Sequence, residues 1–168
     1  MIGTIVDVCL KASDWNLLNE QISSLSKKRG IIKQSISSMF QRCLAFAEES
    51  LDHAVKQKLL KMVREHSEGK VYVEVERAQA TRALASILEA EGKLTDAFEL
   101  MQEVAVETFG SMPRQEKYDF ILEQVRLALS TDQFAQAQII SRKINPKIFK
   151  DHMSEEFQVE IVGVIIVA

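Results

Sequence analysis

Three segments of this chain repeat one pattern: Leu10–Ile22 (LKASDWNLLNEQI), Glu89–Met101 (EAEGKLTDAFELM) and Ala128–Ile140 (ALSTDQFAQAQII). Each closes a helix, crosses a short polar turn, and opens a second helix on a bulky residue: Trp15, Leu94 or Phe134. The bulky residues are 79 and 40 positions apart (94 − 15 and 134 − 94), so a unit of about 40 residues fits, with a degenerate copy expected near Ala54–Val55. A helix–turn–helix unit of that period has apolar surface on two sides. It buries that surface only by stacking on its neighbours, which is the definition of an α-solenoid. The competing expectation is a simple helical bundle, which lacks the recurring turn.

The rest of the chain agrees. Leu94, Ala97, Phe98, Met101, Val104 and Ala105 trace one helical stripe, and Tyr118, Ile121, Leu122, Val125, Ala128 and Leu129 trace another. Phe134, Ala137, Ile140, Ser141 and Ile144 trace a third. Residues 71–90 carry two apolar faces, Val73/Ala80/Leu84/Ile87/Leu88 and Val71/Val75/Ala78/Ala85, as expected of a helix packed on both sides. The start of that segment alternates like a strand, but the helix-forming run after it, with no turn signal between, predicts one helix. Predicted helices cover 1–11, 14–28, 31–49, 53–67, 70–91, 94–108, 113–130, 133–144 and 146–160. Gly69, Gly92 and Gly110 are placed to end helices in the left-handed region. Ser13, Ser111 and Asn145 are placed to cap the next ones, and Pro113 and Pro146 fall in first turns.

Composition excludes several classes. Two prolines and six glycines in 168 residues argue against linker, collagen or strand-rich material. A net charge of −3 argues against a strongly basic nucleic-acid binder. The charge is uneven: residues 1–84 hold 13 Lys+Arg against 10 Asp+Glu, and residues 85–168 hold 8 against 14. The two cysteines, Cys9 and Cys43, sit among apolar neighbours without metal spacing, which suits a reducing compartment. No signal peptide is expected at Met1–Leu10. The run Ile161–Ala168 is too short for a membrane span of about 20 residues. A soluble, intracellular protein is expected.

Candidate chemistry is sparse. His53, His66 and His152 form no metal-binding pattern, and His66 is expected to complement a helix C-terminus. Cys43 reads as a packed thiol rather than a nucleophile. Glu48-Glu49 and Glu155-Glu156 read as solvated charge. Lys27-Lys28-Arg29, with Lys33 nearby, reads as cations at a helix end stopped by Gly30; the sharper alternative is a nuclear-localisation or phosphate-binding patch. Phe109 and Met112 are expected to plug a junction between hairpins. No catalytic, cofactor-binding or metal-binding residue is assigned, and no enzyme activity, cofactor, nucleic acid or membrane is expected. Two rivals to a scaffold are a peptide-gripping repeat adaptor, disfavoured because Asn16, Asn19, Lys93 and Arg142 do not fall in register, and an enzyme, which needs His53, His66 and a carboxylate in one pocket.

The strings DWNLLNEQISSLSKKRG (14–30), EGKVYVEVERAQATRALASILEAEGKLTDAFELMQEVAVETFGSM (68–112), FILEQVRLAL (120–129) and AQIISRKIN (137–145) carry a closer likeness. Over roughly residues 8–150 the chain resembles the non-ATPase regulatory subunit 12 family of proteasome regulatory-particle lid subunits, which are PCI-domain scaffold proteins. Signalosome relatives share the architecture. The resemblance implies a right-handed α-solenoid of TPR-like repeats. It implies a non-catalytic scaffold role in ubiquitin-dependent degradation, contacts with other lid subunits, the ATPase base and the core particle, and residence in cytoplasm and nucleus. Family members continue into a PCI module with a winged helix, and the resemblance implies that this chain ends before one and starts after the family's first helices. The expected division is a partial solenoid over 1–152 and an atypical apolar tail over 153–168. That tail is β-branched and free of charge after Glu160, an aggregation signature. Self-association is expected, and deleting Gln158–Ala168 is expected to improve monodispersity by light scattering.

Overall fold

The computed structural model describes residues 2–12, 14–27, 33–50 and 52–144. Among the described residues there are eight α-helices, two 3-10 turns and no strand. The helices are α1 (Ile2–Ala12), α2 (Trp15–Lys27), α3 (Lys33–Glu49), α4 (His53–Ser67), α5 (Glu74–Ala90), α6 (Leu94–Gln102), α7 (Arg114–Ser130) and α8 (Phe134–Ser141). The second helix of each successive pair starts at Trp15, His53, Leu94 and Phe134, about 40 residues apart. The degenerate copy expected at Ala54–Val55 therefore exists as the start of α4.

Hydrogen bonding shows why the turns recur. Asp14 N–H donates to Cys9 O (3.2 Å), Lys93 N–H to Leu88 O (2.9 Å) and Gln133 N–H to Ala128 O (2.8 Å), each reaching back five residues. In the second and third turns the preceding residue donates back three, Gly92 to Glu89 O and Asp132 to Leu129 O, at 2.9 and 3.2 Å. This paired closure satisfies two orphan carbonyls and places one residue in the left-handed region. Gly92 holds that position at φ 78°, and Asp132 holds it at φ 58°. Asp is among the few side-chain-bearing residues that tolerate this region.

The chain divides into two compact units, Met1–Ile87 and Leu88–Ala168. In the first, α1 pairs with α2 and α3 with α4; α3 lies on α1, and α4 on α2. First helices thus pack on first helices and second on second, the serial order of an α-solenoid. Val6, Leu18, Ile22, Phe40, Leu59 and Val63 are among its fully buried side chains. In the second unit α7 packs on both α6 and α8, around Phe98, Met101, Phe120, Val125 and Ala137. On α5 itself Ala80, Leu84 and Ile87 of one predicted face and Ala78 and Ala85 of the other are buried, whereas Val71, placed on the second face, lies in the 3-10 turn before the helix and is 76% exposed.

Several expectations are corrected. The helix predicted over 94–108 stops at Gln102, and a 3-10 turn, Val106–Thr108, follows. Two contacts serve the carbonyls that a continued helix would use: Gln124 Nε2 of α7 donates to Met101 O (2.7 Å) and Val104 O (3.2 Å), and Val104 N–H closes back three residues onto Met101 O (3.3 Å). The predicted helix from 70 opens with a 3-10 turn at Val71–Val73 before α5. Helix α8 ends at Ser141, where 144 was expected. Gly69 is left-handed as expected, at φ 69°, but Gly110 is not. Asp14 caps α2, its Oδ1 accepting from Leu17 N–H at 3.0 Å. At α7 the cap position belongs to Pro113, not Ser111. Phe134, placed in the α8 stripe by spacing, is 52% exposed, while Ala137, Ile140 and Ile144 are buried. Ser13, Asn145, Pro146, the helix over 146–160 and the tail over 153–168 lie outside the described residues.

Candidate functional site

Groups able to do chemistry are dispersed or buried. Cys9 and Cys43 are both buried free thiols. Burial, with a smaller contribution from the charge of Asp7, pushes the Cys43 thiol up to about 12, so the thiolate needed for nucleophilic attack is negligible near neutrality. His53 and His66 sit at opposite ends of α4, thirteen residues and so about 20 Å apart, too far to share a pocket. His66 is committed to structure: its Nε2 lies 2.6 Å from Asn19 Oδ1, joining α4 to α2. Its backbone carbonyl accepts from Lys70 Nζ. His152 and Glu155-Glu156 lie outside the described residues, as do Lys28 and Arg29; Lys27 is the last residue of α2. Among the described residues no group of three or more His, Cys, Asp and Glu could hold a metal. Among them, no helix is long and apolar enough to cross a membrane.

Polar side chains instead tie helices together. In the first unit the buried Glu76 carboxylate accepts from Ser37 Oγ and from Gln41 Nε2 (3.0 Å), joining α5 to α3. Arg64 Nε donates to Thr81 Oγ1 at 3.0 Å, joining α4 to α5. Arg42 pairs with Asp7 across α3 and α1. In the second unit Arg126 is held by two carboxylates. Its two terminal nitrogens donate to Glu89 at 2.7 and 2.6 Å, and Nε and Nη2 donate to Glu123 at 3.1 and 2.6 Å. The hydrogen bonds from Arg126 hold the Glu89 carboxyl below its ordinary range, and the two acids raise the guanidinium further above its own. Lys143 pairs with Glu107 at 2.7 Å. These contacts set helix positions, and among the described residues they leave no convergent acid–base pair.

What remains is surface. A groove of about 560 Å³ in the first unit is lined by Ala12, Asp14, Trp15, Asn16 and Lys58. Val8, Leu17 and Val71 in that unit, and Phe134 and Ile139 in the second, are the large apolar side chains exposed among the described residues. Met112 is buried and Phe109 half-buried, in keeping with the junction role expected for them. The adaptor candidates are divided: Asn19 is bonded to His66, Lys93 is paired with Glu91 at 2.7 Å, and Asn16 lines the groove. Arg142 is exposed at the end of α8. Sequence reasoning missed Lys58 and Gln124; no motif marks either, because each draws its meaning from another helix.

A family model described as PSMD12/CSN4, N-terminal, matches residues 1–166. That span exceeds the 8–150 over which the quoted strings carry the likeness. The 26S proteasome non-ATPase regulatory subunit 12 homolog B of Arabidopsis thaliana is 50% identical over 152 residues, 90% of this chain and 34% of that protein. Homolog A of the same plant is 52% identical over 145 residues, 86% of this chain and 33% of that protein. The 26S proteasome regulatory subunit RPN5 of Saccharomyces cerevisiae is 38% identical over 168 residues, 99% of this chain and 38% of that protein. The chain spans about a third of the length of the curated relatives it matches.

Proposed function

This chain belongs to the PSMD12/CSN4 N-terminal family, and from that premise we propose that it is a helical scaffold segment of a proteasome regulatory-particle lid subunit. The identity to regulatory subunit 12, half of all positions over 152 residues, is the observation that carries the reading. The serial hairpin packing supports it, because stacked helix pairs offer long outer faces for docking. The segment works by rigid positioning. Its hairpins fix one another through buried seams and inter-helix polar ties, and its outer faces meet other subunits by shape and charge complementarity. We assign it no catalytic step. Its partners are other lid subunits, the ATPase base and the core particle; its setting is cytoplasm and nucleus; its service is to ubiquitin-dependent degradation. The family description also covers CSN4, so a signalosome-type scaffold is the second reading, while the relatives named above are proteasome subunits.

Affinity purification of the tagged chain from its own cells, followed by mass spectrometry, tests this. Co-purification of lid subunits is expected. Recovery of signalosome subunits would move the assignment to the second reading, and recovery of chaperones alone would overturn both.

A further inference from the structure

We propose that the groove beside α2 and α4 docks an acidic peptide segment, with Trp15 as its apolar platform and Lys58 as its charged anchor. This goes beyond the scaffold reading and stands or falls independently of it. The groove's volume, about 560 Å³, suits a few side chains rather than a broad interface. Trp15 opens α2 at its edge and is only half-buried, leaving part of its ring for a partner. A part-exposed tryptophan in a concave site is a common centre of binding energy.

The polar lining sets the sign. Lys58 is exposed and enters no ion pair among the described residues; nor does Lys61, also exposed, three positions further along α4. Asn16 is exposed and its amide has no hydrogen-bond partner among the described residues. The one acid in the lining, Asp14, is already engaged as the α2 cap. Helix α4 carries Lys56, Lys58, Lys61 and Arg64 against Glu65 alone. The first unit as a whole has 13 basic and 10 acidic side chains through residue 84, and residues 85–87 add none. An approaching acidic segment therefore meets net positive charge on this unit and is anchored at contact.

Trp15 is the chain's single tryptophan, so its emission reports on this groove alone. The test titrates the full chain with the blocked peptide acetyl-EEDLEE-amide, and with acetyl-QQNLQQ-amide as a neutral match. A saturable emission change with the acidic peptide only is expected. Lys58→Glu should weaken binding about tenfold or more. Lys56→Glu changes net charge equally but lies outside the lining, and should weaken it much less. Lys58→Gln should fall between wild type and Lys58→Glu, and circular dichroism checks that each variant stays helical. The proposal is overturned if the neutral peptide binds as well, if no saturable change occurs up to millimolar peptide, or if the Lys56 and Lys58 reversals weaken binding equally.

Discussion

Replacing Gln124 by methionine keeps the side chain's length and removes its amide. In the native fold Nε2 serves two carbonyls, Met101 O and Val104 O, inside a site where Gln124 is 3% exposed. Val104 O would be left without a donor among the described residues, at about 1–3 kcal/mol, while Met101 O keeps its bond from Val104 N–H at 3.3 Å and loses about 1 kcal/mol with the amide. One gain offsets part of this. Gln124 Oε1 is itself buried with no hydrogen-bond partner among the described residues, and methionine removes that penalty of about 1–3 kcal/mol. The expected net loss is about 1 kcal/mol, read as a lower urea midpoint by far-UV circular dichroism with an unchanged slope. Gln124→Glu should be worse at neutral pH, because a carboxylate would face two carbonyl oxygens. Burial raises the introduced carboxyl's folded pKa above the unfolded value of about 4.3. Its best contribution is therefore present below pH about 4 and is lost as pH rises through the folded pKa. The gap between Gln124→Glu and Gln124→Met should shrink as pH falls. Equal stability of wild type and Gln124→Met, or a Gln124→Glu variant no worse than the methionine variant at pH 7, would refute a part for this amide in the α6 break.

Three further outcomes are expected. Gly92→Ala meets no atom within 4 Å but must hold φ near 78°, so it should destabilise by about 0.5–1.5 kcal/mol. Asp132→Gly, at φ 58°, should be neutral or mildly stabilising; the reverse order in a thermal melt would count against the shared turn geometry. Arg126→Met should cost about 1 kcal/mol at pH 7, a modest figure because Arg126 is 39% exposed and screened by solvent. Glu89 is depressed in the folded state, so its contribution is present above the unfolded pKa of about 4.3 and fades as pH falls through the folded value. A wild-type advantage that persists undiminished at pH 2 would contradict this. Cys43, its thiol pushed up to about 12, should resist a disulfide-exchange reagent at pH 8 until denaturant is added; prompt reaction in native buffer would show the burial to be wrong.

The hairpin turns were legible because their chemistry is local: a polar turn, a left-handed position and a bulky helix opener recur at fixed spacing. The double-faced α5 was legible for the same reason, since two apolar stripes can be counted on one helix. The break at Gln102 was not. Glu103-Val104-Ala105-Val106 continues a helical pattern with no Gly or Pro, and a side chain twenty residues downstream takes the carbonyls. Phe134 misled because spacing places it on the α8 stripe, whereas the described fold covers only Ala137, Ile140 and Ile144. Lys58 gains significance from Trp15, 43 positions away (58 − 15), a proximity no period announces. The scaffold reading came from strings such as GKVYVEVERA rather than from reactive groups.

Helix α5 has little room for a change of length. Each residue of an α-helix advances the chain by about 100°. Deleting one near Arg82 would swing Leu84, Ala85 and Ile87 out of their seats together, unpacking both flanks in a single event. Between Glu103 and Pro113, where the backbone is already irregular, the same deletion would rotate no long buried face. Insertions and deletions among natural variants should therefore gather in that connector and spare Glu74–Ala90.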